Sequence, residues 1–337
     1  MSQPEEPEVV VVTGASGGVG RAVAREFGRH GAHVGLLARG EDGLEGARRE
    51  IEELGGQAVA IPTDVSRYDQ VADAAEKVER RFGPIDVWIN DAMVSIYAPF
   101  MKVTPREFQH ITEVTYLGQV WGTRVALERM LPRDRGHVVQ VGSALAKRSI
   151  PLQSGYCGAK HAIEGFTESV RTELLHMRSR VVVTVVQLPA MNTPQFEWTR
   201  NKMPKKPRPI GTIHQPEIAA RAIYWSAHTR RKETWVGWPT VESILGERLA
   251  SALLDRYLAD VAWKGAMRKE PVDPTAPDNF WRPAPGDHGA HGPFDDRARR
   301  STSQVWLDEH RALVALLAVA GVAVTAGAAV AASRLRA

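Results

Sequence analysis

Residues 9–12 form an unbroken valine run that leads without a spacer into Thr13-Gly-Ala-Ser-Gly-Gly-Val-Gly20, after which a helical pattern continues through Arg29. A continuous β-branched run suits a strand buried on both faces, the environment that a parallel sheet covered by helices provides. Glycines in the following turn let the backbone approach a pyrophosphate, and the N-terminus of the next helix favours its negative charge. Strand, glycine-rich turn and helix together predict a dinucleotide-binding opening. The spacing is Gly14-x-x-x-Gly18-x-Gly20 and differs from the commoner GxGxxG fingerprint.

The same alternation repeats along the chain. His33–Ala38, 58–62, Val87–Asn90, His137–Val141, 181–187 and 234–237 read as strands. Between them, 41–54, Tyr68–Phe82, 104–129, 154–177 and 216–228 read as helices, with a final helix over 241–263. Thr104-Pro-Arg-Glu107 is a helix start, with a capping threonine, a proline in the first turn and a glutamate three residues on. Strands alternating with helices predict a Rossmann-type, doubly wound parallel sheet of the α/β class, with ligands beyond the strand C-termini. The second strand ends at Arg39, where an NAD site would place an acid for the ribose 2′-hydroxyl; an arginine there suits a 2′-phosphate and predicts NADP. Asp64, after the third strand, could accept from an adenine amino group or cap the next helix.

A second chemical signal follows the strand His137–Val141. Ser143 lies just beyond it, and Tyr156 and Lys160 stand four apart on the next helix, where they share a face. An ammonium beside a phenol stabilises phenolate, and a tyrosine tuned toward neutrality can exchange a proton with a carbonyl or alcohol oxygen. Alone, such a pair is more often part of a solvated helix face. Cys157 reads as packing, His161 as helix filler, and no Cys/His spacing suggests a metal.

The chain has 337 residues, a net charge of +4 and one cysteine, which fits a reducing compartment. Its basic residues are spread along the chain, so a nucleic-acid surface is not indicated. The acidic N-terminus lacks the apolar core of a secretory signal. Residues 195–213 form a basic, proline-rich stretch that reads as a lid, in which Phe196, Trp198 and Met203 either line a substrate pocket or pack the lid down. The predicted organisation is a tail at 1–6, a catalytic domain at 7–265, a Pro/Gly-rich linker at 266–305 and an apolar C-terminal helix at 306–337. The uncharged run 312–332, about 31 Å long as a helix, matches a bilayer's hydrocarbon thickness and predicts a C-terminal membrane anchor on a cytoplasmic catalytic domain.

With these residues assembled, the chain resembles the classical short-chain dehydrogenase/reductase family over residues 7–260. The match includes the Thr13–Gly20 turn, Asp64-Val65, Asn90-Asp-Ala-Met93, Ser143 and Tyr156-x-x-x-Lys160. The resemblance implies NADP-dependent hydride transfer between an alcohol and a carbonyl. It gives Tyr156 the acid/base role, Ser143 the polarisation of the carbonyl, and Lys160 the lowering of the tyrosine pKa and a hold on the nicotinamide ribose. It also places Gly14, Ser16, Gly18, Val19 and Gly20 at the phosphates, with Arg39, Asp64, Val65, Asn90 and Thr193 as further cofactor contacts. Thr115 falls where the family often completes a catalytic tetrad with asparagine, and Met93 replaces a usual glycine. Those two departures motivate the alternative reading of a cofactor-sensing or scaffolding protein with little or no turnover. The partners implied are a small carbonyl or alcohol, plausibly apolar, a membrane through the C-terminal run, and further copies of the chain.

Overall fold

A computed structural model describes residues 6–273 and 275–310. The run 312–332, read above as a membrane anchor, lies outside them; no helix among the described residues is long and apolar enough to cross a membrane.

The first half alternates strand and helix: β1 (Val9–Thr13), α1 (Gly18–Arg29), β2 (His33–Ala38), α2 (Glu41–Glu53), β3 (Gln57–Pro62), α3 (Tyr68–Phe82) and β4 (Val87–Asn90). A two-residue strand, β5 (Ile96–Tyr97), precedes α4 (Pro105–Ile111), a π-helical stretch (Thr112–Leu117) and α5 (Gly118–Met130). Then come β6 (His137–Val141), α6 (Ser154–His176), β7 (Val182–Gln187), α7 (Gln195–Trp198), and the short strands β8 (Arg200–Asn201) and β9 (Lys205–Pro207). The series closes with α8 (Pro216–Ala227), β10 (Glu233–Trp235), α9 (Trp238–Gly265), β11 (Met267–Pro271) and α10 (Ser303–Glu309).

Seven strands form one sheet in the order β10-β7-β6-β4-β1-β2-β3, every pair parallel. The valines of β1 show why the run is continuous. Val10 and Val12 join the core under α1, α2 and α8, whereas Val9 and Val11 join the core under α3, α4 and α5. Both faces are therefore dry, as the apolar pattern requires. The start of α4 forms as predicted: Thr104 and Glu107 make a reciprocal capping box with the backbone. Order reverses at β1 and β4, so the sheet opens a crevice beyond their C-terminal ends.

The stretch expected to be a linker is instead built onto the catalytic unit. β11 pairs with β9, Phe280 is wholly buried, and Phe294 packs against Phe196. Arg21, itself buried, holds both Glu50 (2.9 Å) and Asp287 (2.5 Å). Asn192 donates to Asp295 (2.8 Å). A few anchors of this kind dock a segment that has no periodicity, which is why its composition reads as unattached chain. The folded unit thus continues past residue 265.

Candidate active site

A cavity of about 660 Å³ runs along the strand C-termini, from Arg39 and Asp64 at one end, past Gly14–Val19, to Ser143, Tyr156 and Lys160. Tyr97, Ile150, Phe196, Ile210, Leu254 and Leu258 also line it, together with the polar Arg148, Gln153, Glu242 and Ser243.

The glycine turn forms the floor of the first half. Gly14 has φ of +76°, and a Cβ there would lie 2.9 Å from the Ala92 backbone, so only glycine fits without movement. Gly18 also has positive φ, and its α-carbon faces the Thr193 side chain across the cleft. Ser16, Gly18, Val19 and Thr193 line the cavity. Gly20 does not; it sits behind the turn, where a side chain would strike the Gly14 carbonyl. Its effect is to let α1 close onto the turn. No side chain caps the N-terminus of α1. These features form a cradle that fits a dinucleotide's phosphates.

Arg39 reaches the cavity, but its guanidinium is engaged by the C-terminal segment. It donates to the Phe280 carbonyl (3.2 Å) and to the Asn279 carbonyl. Burial lowers its pKa, with Asp64 opposing. Asp64 and Val65 line the cavity, and Asp64 also accepts from the Ser66 amide (3.0 Å) and hydroxyl (2.8 Å), so it closes its own loop as well.

Besides Gly20, two predicted site residues lie off the cavity wall. Asn90 does not border the cavity. Its amide donates to the Gln140 side chain (3.0 Å), the Thr123 hydroxyl (3.1 Å) and the Gln119 carbonyl (3.3 Å), and its oxygen accepts from the Trp88 indole (2.8 Å). The physical reason is pleat: Asn90 points at α5, whose Gly122 allows its close approach. Thr115 is fully buried in the π-helical stretch, donates to the Val94 carbonyl (2.8 Å) and accepts from the Val94 amide (3.0 Å). It fixes the loop after β4 and makes no hydrogen bond to Lys160.

Ser143, Tyr156 and Lys160 do converge. The Ser143 backbone N–H donates to the Gln187 side chain (2.8 Å), and the Ser143 hydroxyl accepts from the Leu145 amide (3.1 Å). The Tyr156 phenol lies near Ser143, whose hydroxyl favours the ionised form of the phenol. The Lys160 ammonium stands 5.6 Å from the Tyr156 ring centre and donates to the Val141 carbonyl (2.6 Å). Burial brings the lysine pKa down to about 8. The tyrosine behaves differently from its predicted tuning. Burial pushes its pKa up; the nearby Ser143 opposes, while Cys157 and Asp91 add to the rise.

Asp91 is the residue that motif reading passed over. It lines the cavity, its amide donates to the Thr13 hydroxyl (3.0 Å), and its carboxylate lies against Gly20, where an added Cβ would come within 2.9 Å of it. Burial pushes its pKa up to about 6 against the attraction of Lys160. Its place in Asn90-Asp-Ala-Met93, directly after β4 and beside the cleft, was the signal in the sequence. Cys157 is buried with its thiol pKa raised, which suits packing.

A family model described as short chain dehydrogenase matches residues 8–204. This chain belongs to the short-chain dehydrogenase family. Among its relatives in that family, the uncharacterized oxidoreductase YxnA of Bacillus subtilis is 31% identical over 269 residues, which covers 79% of this chain and 76% of that protein. The 3-dehydrosphinganine reductase of Danio rerio is 31% identical over 222 residues, 64% of this chain and 66% of that protein. An alcohol dehydrogenase of Thermococcus sibiricus solved with 5-hydroxy-NADP aligns with a TM-score of 0.60 at 26% identity, over 68% of this chain and 96% of its own. A metagenomic short-chain oxidoreductase solved with NADP gives 0.58 at 27% identity, over 68% and 97%. The chain is thus a member of the short-chain dehydrogenase family carrying 133 residues after the family match, part of which packs on the cleft.

Proposed function

We propose that this chain is an NADP(H)-dependent oxidoreductase that interconverts a carbonyl and an alcohol, with Tyr156 as the acid/base and an apolar substrate. One observation carries the reading. The Tyr156 phenol, set near Ser143 and Lys160, stands in the same cavity as the glycine turn of β1 and α1. The NADP and 5-hydroxy-NADP in the two structural neighbours support the choice of cofactor, as does Arg39 at the end of β2. Gly14, Ser16, Gly18 and Val19 would hold the phosphates, with Lys160 and Thr193 toward the nicotinamide. A bound nicotinamide supplies or accepts the hydride.

The remaining chemistry belongs to the side chains. Ser143, fixed by Gln187, orients the substrate oxygen by hydrogen bonding. Tyr156, its pKa raised by burial, keeps its proton at neutral pH and gives it to that oxygen as it becomes an alkoxide. Lys160 places positive charge beside the phenol while Asp91 offsets it. Tyr97, Phe196, Ile210 and Leu258 exclude water and suit an apolar chain on the ketone. The test is NADPH oxidation with ketones of increasing chain length. Tyr156→Phe should retain NADPH binding and lose at least about 100-fold in kcat; equal rates for the two proteins reject the assignment.

A further inference from the structure

Residues 279–289 cross the nucleotide half of the cavity, where Asn279, Pro283, Ala284, Gly286 and His288 form part of its wall. Two donors suited to the nucleotide's anionic groups are already engaged there. At the start of α1, the Gly18 amide donates to the Gly289 carbonyl (3.1 Å). At the end of β2, Arg39 donates to the carbonyls of Phe280 and Asn279. In both places a neutral carbonyl occupies a group whose position and charge suit an anion.

The segment is held in place by its own anchors. Asp287 pairs with Arg21, the Gly286 amide donates to Asp42 (3.1 Å), and the His288 ring meets Trp198 edge-on at 4.8 Å. Phe280 is buried beneath, and its carbonyl also accepts from His110 (2.9 Å). The family match ends at residue 204, so this covering lies outside it. Hydrogen bonds to a charged oxygen are about twice as strong as those to a neutral one, which sets the direction of exchange.

On the reading of this cleft as an NADP(H) site, we propose that residues 279–289 are a strap belonging to the nucleotide site. Its backbone carbonyls occupy the α1 amide and Arg39 until the phosphates of the cofactor displace them. The strap lowers apparent affinity by the fraction of molecules in which it is closed. A nucleotide without the 2′-phosphate has nothing to exchange for the Arg39 contacts, so the strap also sharpens the choice of NADPH over NADH.

Hydrogen exchange on the full chain, followed over peptides spanning 279–292, reads the displacement. Saturating NADPH should speed exchange of the strap amides by about tenfold or more while leaving the sheet amides unchanged. Slower or unchanged strap exchange, with NADPH bound, overturns the strap and leaves the cofactor assignment standing. Asp287→Ala provides a second reading, since Arg21 keeps Glu50 as a partner. The apparent Kd for NADPH, by calorimetry, should tighten about three- to tenfold; an unchanged or weaker Kd overturns the proposal. Failure of both proteins to bind either NADPH or NADH rejects the nucleotide reading itself.

Discussion

Replacing Asn90 by alanine separates the part this residue has in the fold from the cofactor contact its motif implies. The substitution removes four hydrogen bonds at a site with no solvent access. Two partners have substitutes: Thr123 still donates to the Gln119 carbonyl (2.7 Å) and still accepts from the Gln140 amide (2.6 Å). The Trp88 indole N–H and the Gln140 side-chain oxygen do not. Each orphaned buried group costs about 1–3 kcal/mol. With a small cavity added, the loss comes to about 3–5 kcal/mol. At about 2–4 °C per kcal/mol for a chain of this size class, Tm should fall by roughly 10 °C. Because Asn90 does not border the cavity, the Kd for NADPH measured well below the transition should change less than about threefold. Urea unfolding and calorimetry on the same preparation decide the matter. A Tm shift under about 2 °C together with a tenfold weaker Kd would refute the reasoning and restore Asn90 to the cofactor site.

Asp91→Asn removes the carboxylate that favours the Lys160 ammonium, so the lysine should lose its proton at lower pH than in the wild type, whose value is about 8. The alkaline limb of kcat against pH should move down; an unmoved or rising limb counts against the pairing. Phe280→Ala empties a fully buried ring site and should cost about 3–5 kcal/mol or free the strap to protease, read by urea unfolding and limited proteolysis; neither effect would mean the stretch is loosely attached. His137, buried and bonded to Thr184 (2.8 Å), has its pKa lowered by burial to about 4. The unfolded chain takes up this proton near pH 6.5 and the folded one only near 4. Stability should therefore fall by about 3 kcal/mol between those values. Urea midpoints across that range should flatten in His137→Gln, and a parallel decline in both proteins would exclude this residue as the source.

The sheet was readable because dry strands must be apolar throughout and their connecting helices amphipathic. The periodicity changes at each boundary, as between β2 and α2 or between β3 and α3. Ser143, Tyr156 and Lys160 were readable because a strand end and a helix register fix their relative places. Asn90 and Thr115 fall off the cavity wall for a local reason: a motif gives positions along the backbone, whereas the pleat of β4 and the π-helical turn decide where side chains point. The proline- and glycine-rich stretch after β11 was misread because its docking rests on isolated groups. Phe280 and Phe294 were visible in the sequence, yet nothing in spacing pairs Asp287 with Arg21 or Asn192 with Asp295. The tyrosine's raised pKa also depends on enclosure, which arises only when α6, β5 and the 195–213 segment meet.

The pairing of Arg21 with Asp287 joins the first helix to a residue near the far end of the described chain. During synthesis the sheet has all seven strands once Trp235 has emerged, and Asp287 is made later. A growing polypeptide therefore presents Gly18 and Arg39 uncovered for a time. Up to that point no strap carbonyl exists to engage the Gly18 amide or the Arg39 guanidinium.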